Sequence, residues 1–546
     1  MASLAKKQLK MDMFVFASLI GIYSFIIFIL GISGLLYKSK IIGATIIFWG
    51  SILYLKRKDL QDTIKKINLG LLVAIIIFQA GVNLIGVLGP ERGFDALWYH
   101  LTLPKLYLIN HSISFIPGGL LYYSTMPKLA EMLYLAGLSL GNETLPKLIH
   151  YFFGLLTCLA LYKLQRKFFS KFIALIGVII FYSNLVVGWE SVTAYIDLVR
   201  TFFELMAVWG FVNWWESKKR KWLIISAVMV GFAIATKLLA IGSLLIFIIL
   251  IFIKFRRRLL RFTRNDMQSL LIFIVTALII PAPWFIFSYI NTGNPVYPFF
   301  TEMYKVIPEP VSFFGFFKDI WMIFTNSPDH LSLVYILFLP FTVWCLGSFS
   351  KELKLITTYS VLAIIIWYFT PRTGGGRFIV PYLPAFSIIS AAVINEFWQN
   401  KKYNLLISKS LVSIVLVLSL FSIVYRFAAN YKYIPVIFGV ETKAHFLANH
   451  LNFSFGDFYD IDGYFREHIK STDSVLLYGF HNLYYVDFPF IDNNWVKKGD
   501  KFNYVVTQNT VLPKRFEDWK LIYKNDKTMV KLYKPPTGVC IIKCSY

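Results

Sequence analysis

KKRKWLIISAVMVGFAIATKLLAIGSLLIFIILIFIKFRRR, residues 218–258, sets the organisation of the chain. Two basic clusters, Lys218-Lys219-Arg220-Lys221 and Lys254 with Arg256, Arg257 and Arg258, bracket two apolar runs that meet at the single Lys237. Lysine and arginine accumulate in the short cytoplasmic loops of membrane proteins. The stretch therefore reads as one span leaving the cytoplasmic side and a second returning to it, with Lys237 capping a very tight outer turn. A lysine placed between two spans is costly unless it snorkels or meets an anion, so a functional partner is the default expectation.

The same alternation extends along the chain in both directions. Of 546 residues, 57% are hydrophobic and 16% are charged, and the mean hydropathy is +0.61. A soluble core does not hold that much apolar surface; a polytopic membrane protein requires it. The net charge of +25 is no nucleic-acid signature, because the basic residues sit in short loops between apolar runs. These are Lys6, Lys7 and Lys10; Lys56, Arg57, Lys58, Lys65 and Lys66; Lys163, Arg166, Lys167 and Lys171; the two clusters above, the second extended by Arg261 and Arg264; Lys351 and Lys354; Lys401 and Lys402. As cytoplasmic anchors they touch membrane lipids, and no nucleic-acid partner is implied.

A span needs about 20 apolar residues, fewer where protein shields it. With the N-terminus inside, about 13 transmembrane helices thread near 13–36, 41–55, 67–88, 148–163, 172–188, 194–215, 222–236, 238–254, 268–290, 331–349, 353–370, 378–397 and 406–427. The expected architecture is a polytopic α-helical membrane domain over residues 1–429, in the cell (plasma or inner) membrane. Its two long outer loops are 89–147 and 291–330. Stretches 96–109 and 128–140 in the first look like amphipathic helices lying at the interface. Beyond residue 430 charge returns, and runs such as Val475-Leu476-Leu477-Tyr478 and Tyr504-Val505-Val506 read as strands, so 430–546 forms a small extracytoplasmic α/β domain. Cys158 and Cys345 lie in apolar runs as packing residues. Cys540 and Cys544 are paired or free, and no zinc spacing is present.

This threading gathers the unusual polar residues on the outer side. In Gly93-Phe94-Asp95-Ala96-Leu97-Trp98-Tyr99-His100, a helix puts Asp95 and Tyr99 on one face at i,i+4 with His100 close by. Asp95 is then either a partly desolvated general base or a helix N-cap. Arg372 and Arg377 flank Gly374-Gly375-Gly376, a pattern that suits a phosphate or, alternatively, a lipid-headgroup turn. Glu190 and Asp197 bracket the outer start of the sixth span. Asp197 falls about one turn inside the apolar layer and needs a partner, either Arg200 at i,i+3 or a substrate cavity.

These residues carry a resemblance. Asp95-Ala96-Leu97-Trp98-Tyr99-His100-Leu101-Thr102-Leu103-Pro104, Ala194-Tyr195-Ile196-Asp197, Ala235-Thr236-Lys237, Pro283-Trp284 with Thr292-Gly293-Asn294-Pro295-Val296-Tyr297-Pro298-Phe299, and Arg377-Phe378-Ile379-Val380-Pro381-Tyr382-Leu383-Pro384 follow the order seen in GT-C type membrane glycosyltransferases. Over residues 67–400 the chain resembles the bacterial branch related to protein O-mannosyltransferases and aminoarabinose transferases. The resemblance implies transfer of a sugar from a polyprenyl-phosphate carrier to a glycan, lipid or protein acceptor at the outer face. Asp95 takes the place of the acidic group of the first outer loop. Lys237 and Arg377 hold the carrier phosphate, with Arg372 and Lys105 as lesser candidates, and Tyr99, His100, Asn294 and Tyr297 are candidates for substrate binding. Many such proteins carry two adjacent acids in that loop. Here Ala96 follows Asp95 and the nearest second acid is Glu91, which makes Glu190 or Asp197 a possible second carboxylate. No metal is required, since lysine and arginine can neutralise a phosphodiester, and a divalent ion stays open. Two rival readings are a lipid or sugar-lipid transporter or flippase, against which the lack of an internal repeat counts, and a nonenzymatic envelope-assembly protein that uses residues 430–546 as a binding module.

Overall fold

A computed structural model describes residues 12–64, 70–256, 264–304, 311–325, 330–370, 372–399, 405–536 and 540–541. The expected anchors Lys6, Lys7, Lys10, Lys65, Lys66, Arg257, Arg258, Arg261, Lys401 and Lys402 lie outside the described residues, as does Cys544. So do the side chains of Lys56, Arg57, Lys58, Arg256, Arg264, Arg372 and Cys540.

The helices run in the order α1 (Met13–Ile32), α2 (Lys38–Ile64), α3 (Leu71–Leu88), α4 (Thr102–Ile109), α5 (Leu129–Leu140), α6 (Thr144–Gln165), α7 (Lys171–Tyr182), α8 (Leu185–Glu190), α9 (Asp197–Ser217) and α10 (Arg220–Thr236). They continue with α11 (Ile241–Arg256), α12 (Arg264–Ile279), α13 (Ala282–Thr292), α14 (Phe313–Thr325), α15 (Val334–Cys345), α16 (Lys351–Tyr368), α17 (Leu383–Gln399) and α18 (Leu405–Tyr431). Each of the thirteen expected runs overlaps at least one of these helices, and 172–188 and 268–290 each overlap two. By length and composition, however, only six described helical segments are apolar enough to cross a membrane, or seven if α12 and α13, bent by 58°, form one span. Two physical reasons combine: α7 and α15 are apolar but only 12 residues long, and other helices carry charge. Helix α9 carries Asp197, Arg200 and Glu204 on faces buried by protein, and α16 opens on Lys351, Glu352 and Lys354.

Close packing of small residues sets the centre. Antiparallel α9 and α10 touch where Gly210 faces Ser226, at 3.2 Å from the position of an added Cβ, and Ser226 Oγ donates to Ala207 O at 2.8 Å. Small residues of this kind let helices in a membrane approach backbone to backbone. The hairpin returns Lys237 to the level of Asp197. In the first outer loop the structure departs from the expected interfacial helices: residues 96–100 form a π-helical turn before α4, and α5 is buried by protein on nearly every side.

The C-terminal domain is built on a mixed sheet. Its strands are β1 (Val475–Tyr478), β2 (Phe490–Asp492), β3 (Lys501–Phe502), β4 (Tyr504–Gln508), β5 (Lys520–Asn525), β6 (Val530–Lys534) and β7 (Cys540–Ile541). Five strands follow the order β2-β1-β4-β6-β5, with β1 parallel to β2 and β4, and β6 antiparallel to β4 and β5; β3 and β7 pair separately. Polar contacts dock the domain onto the first outer loop. Lys105 Nζ donates to Tyr484 O (2.7 Å), Val486 O (2.8 Å) and Asp487 Oδ1 (2.7 Å), and Lys443 Nζ donates to buried Glu143. Replacing Lys105 by Met leaves two carbonyls and a carboxylate without their donor. The full chain is expected to lose about 1–3 kcal/mol, read as a lower thermal midpoint with earlier proteolysis within 440–536.

Candidate active site

Glu91, just past α3, shapes the loop that holds Asp95. Its buried carboxylate accepts the backbone N–H groups of Arg92 (2.8 Å), Gly93 (2.6 Å) and, from the turn before α9, Ala194 (2.6 Å). One side chain thus ties the Asp95 loop to the turn that leads into Asp197. The backbone N–H of Asp95 then donates to Tyr195 Oη at 3.3 Å. The π-helical turn that follows is a geometry often found at functional sites, and it brings Tyr99 Oη to 3.4 Å from Asp95 Oδ2. Burial, and after it the Asp95 charge, push the Tyr99 phenol well above its usual pKa, so it stays protonated and donates. The carboxylate of Asp95 makes no helix-capping hydrogen bond. It meets Arg377 Nη1 at 2.7 Å instead, which answers the N-cap alternative.

Asp197, at the first turn of α9, is buried and accepts from Lys237 Nζ at 2.7 Å. Arg377 Nε lies 3.9 Å from the other oxygen of Asp197, buried and without a hydrogen bond. The four charges form a chain, Asp95–Arg377–Asp197–Lys237. Phe378 packs beneath both cations, 4.6 Å from Lys237 Nζ and 5.2 Å from the Arg377 guanidinium, and the Tyr195 ring lies 4.9 Å from that guanidinium. Helix packing thus supplies Lys237 and Arg377 each with a carboxylate from a distant segment. The pairing of Asp197 with Arg200 is corrected. One turn deeper, Arg200 donates to Glu204 Oε1 (3.3 Å) and Tyr382 Oη (3.0 Å), and Glu204 also accepts from Ser243 and Tyr359.

These groups border a cavity of about 320 Å³, lined by Asp95, Tyr99, His100, Lys237 and Arg377 together with Lys128 and Glu131. The last two escaped the sequence reading. Glu131 receives His100 Nδ1 at 2.8 Å. Lys128 is buried and has no hydrogen-bond partner among the described residues. Burial pushes its ammonium down to about 8, against the opposing pull of Glu131. The signal was present in Met126-Pro127-Lys128-Leu129, a lysine opening an apolar helix, but nothing local shows that it faces Asp95.

Other expected site residues lie elsewhere. Glu190 is fully buried at the end of α8, 3.9 Å from His150 Nε2, and does not line the cavity. The three acceptors of Lys105 belong to the C-terminal domain, which removes it from the phosphate set. Asn294 builds a turn, accepting from Val296 N (2.9 Å) and donating to Phe299 O (2.8 Å), so that Phe299 reaches the cavity wall. Tyr297 packs edge-on against Phe115, with centroids 5.9 Å apart. The Arg372 side chain lies outside the described residues. Among the described residues no group of three or more His, Cys, Asp or Glu is arranged to hold a metal ion.

Comparison with known proteins agrees with this architecture. Residues 134–287 match the family described as dolichyl-phosphate-mannose-protein mannosyltransferase. No curated protein matches the sequence. Among solved structures, ArnT from Cupriavidus metallidurans in the apo state superposes with a TM-score of 0.58 at 12% identity, covering 84% of this chain and 97% of that one. The same protein bound to undecaprenyl phosphate gives a TM-score of 0.55 at 13% identity, covering 85% and 97%. At these identities the likeness establishes the fold. With the fold shared along nearly the whole of ArnT and the mannosyltransferase match centred on the hairpin that carries Asp197 and Lys237, this chain resembles the GT-C type membrane glycosyltransferases.

Proposed function

We propose that the protein is a membrane glycosyltransferase that moves a sugar from a polyprenyl-phosphate-linked donor to an acceptor at the outer face of the membrane. The observation that carries this reading is the convergence of Asp95, Arg377 and Lys237, drawn from three separate segments, on one cavity, with buried Asp197 backing the two cations. Cations that border a cavity at the end of a helical bundle suit a phosphate headgroup whose isoprenoid tail remains among the apolar helices. ArnT from Cupriavidus metallidurans binds undecaprenyl phosphate, which supports a carrier of the same class for this chain.

In the proposed reaction the acceptor oxygen attacks the anomeric carbon of the donor. The bond from that carbon to the phosphate oxygen breaks, and the polyprenyl phosphate leaves with the electron pair. Asp95 takes the proton from the acceptor hydroxyl, while Arg377, Lys237 and Lys128 stabilise charge developing on the phosphate oxygens. Before the donor binds, the two carboxylates neutralise Arg377 and Lys237, so the quartet stays intact without ligand. The entering phosphate takes a share of these cations and loosens the Arg377 contact to Asp95, leaving a carboxylate oxygen available as base. Tyr99, held protonated, and His100, anchored by Glu131, fix the wall beside Asp95. The cations carry the charge stabilisation without a metal. An acceptor-binding assembly protein offers no reason for Asp95 and Lys237 to matter; catalysis does.

The threading adds an orientation: N-terminus in the cytoplasm, cavity and C-terminal domain outside. Maleimide labelling of intact cells is expected to reach a cysteine placed at exposed Asp526 without permeabilisation. Labelling of that site only after permeabilisation reverses the arrangement.

Asp95→Asn keeps size and removes the charge. Turnover is expected to fall by about 10²–10⁴-fold, as for loss of a general base, with carrier binding retained; near-normal turnover moves the base elsewhere. For the phosphate, Lys237→Ala and Arg377→Ala should each weaken carrier binding, with the double variant losing less than the sum because the charges share one ligand. Lys128 adds a pH dependence of definite sign. Its ammonium is charged below about 8, so carrier affinity is expected to decline as pH rises through 8. In Lys128→Met affinity should be lower at pH 7, and that part of the decline should vanish; an unchanged profile excludes Lys128 from the phosphate set.

A further inference from the structure

A second cavity, of about 680 Å³, is lined by Tyr195, whose ring also lies 4.9 Å from the Arg377 guanidinium, and shares no lining residue with the first. It forms where α3 and α18 end side by side. Asn430 Nδ2 donates to Val82 O at 2.8 Å, holding the two helix ends together on the side of the bundle that also carries Asp95. Its walls hold Arg92, Arg426 and Lys432, with Trp189 as an apolar face.

Two cations of this wall, Arg92 and Lys432, make no ion pair among the described residues. Arg92 donates Nε to the neutral Tyr433 hydroxyl at 3.1 Å, and Arg426 donates Nη2 to the neutral Asn430 carboxamide at 3.1 Å. The aliphatic stem of Arg426 lies over Gly188, where an added Cβ would come within 3.0 Å of it; glycine there leaves the arginine its place. The lining carboxylate, Asp457, is already engaged by Asn452 N (2.7 Å) and the Asn482 carboxamide in the C-terminal domain. Of the remaining titratable wall, His450 bonds Phe446 O through Nδ1 at 2.8 Å and stacks on the Phe446 ring. Burial, reinforced by Arg92 and Arg426, lowers the Lys432 ammonium to about 8, as expected where cations are gathered.

We propose that this cavity binds the phosphate group of an anionic lipid in the leaflet that faces the active site. Arg92 and Lys432, two cations without an ion pair among the described residues, around a recess at the ends of two helices and beside a tryptophan, match a phosphate ester whose acyl chains stay along α3 and α18. The assignment stands apart from glycosyl transfer. It concerns a binding event that a failure of the catalytic reading leaves untouched.

Native mass spectrometry of the purified full chain, titrated with phosphatidylglycerol and with phosphatidylcholine, tests it. Preference for phosphatidylglycerol is expected, and Arg92→Ala and Lys432→Ala should each weaken its binding by about fivefold, the usual effect of one cation near a membrane surface. Lys432→Arg should restore it, and Lys128→Met, in the other cavity, should leave it in place. If the double alanine variant fails to fold, Lys432→Met against Lys432→Arg carries the comparison alone. Competition by glycerol 3-phosphate at comparable concentration assigns the site to free phosphate esters and overturns the lipid assignment; absence of competition supports it. Equal binding of the two lipids, or phosphatidylglycerol affinity unchanged within twofold in Arg92→Ala/Lys432→Ala, also overturns the proposal.

Discussion

Everything in the membrane domain is subordinate to one constraint: a charge removed from water must be given a partner. Desolvating a carboxylate or an ammonium costs several kcal/mol even after relaxation, and breaking a buried pair by removing one member costs about 3–5 kcal/mol. Helix α9 brings Asp197, Arg200 and Glu204 into the bundle within its first two turns. Each is matched by a different element: Asp197 by Lys237 at the end of α10, Arg200 by Glu204 and Tyr382, and Glu204 further by Ser243 and Tyr359. The Asp197–Lys237 ion pair and the hydrogen bonds to Tyr382, Ser243 and Tyr359 therefore act as registry pins. They fix where α10, α11, α16 and the segment before α17 stand relative to α9, and that registry delivers Arg377 to Asp95 across 282 residues of sequence.

The same constraint explains how one arrangement serves stability and chemistry. Without a ligand, Asp95 and Asp197 neutralise Arg377 and Lys237, while Lys128 has Glu131 in the same cavity but no hydrogen bond to its ammonium among the described residues. In the proposed reaction an anion substitutes for carboxylate as partner of the cations, and the partner it displaces is the proposed base. The pairing that keeps the apo site folded thus withholds the base until a phosphate arrives. Glu91 contributes at one remove. It receives N–H groups from both the Asp95 loop and the turn before Asp197, so one side chain links the two segments that carry these carboxylates.

The loops and the C-terminal domain follow from backbone and polar groups that must be satisfied away from lipid. Lys105 and Glu143 spend their charge on the C-terminal domain, and Asn294 spends its carboxamide on a turn. Their residue types fit a substrate site equally well, which is why pattern alone assigned Lys105 and Asn294 to one. What separates the two uses is whether acceptors from elsewhere in the chain already occupy the side chain. At Lys128 none do.

Hydropathy and the spacing of basic clusters are one-dimensional quantities, and what depends on them was legible in the sequence: helices at every expected run, a strand-bearing C-terminal domain, the approach of Tyr99 to Asp95 one helical turn away, and an anionic partner for Lys237. The number of helices apolar enough to cross alone was not, because polar helices such as α9 are carried by their neighbours and not by lipid. Nor were the pairings. Asp95 with Arg377 and Asp197 with Lys237 depend on which helix faces which, and on small contacts such as Gly210 against Ser226 that set how closely α9 and α10 pack. Which residues need a partner can be read from the linear chain, since the cost of a buried charge is a property of the residue and its layer. Which partner each one takes is settled by folding alone, because an ion pair forms over about 3 Å between atoms that the chain brings together from 40 residues apart in one case and 282 in the other.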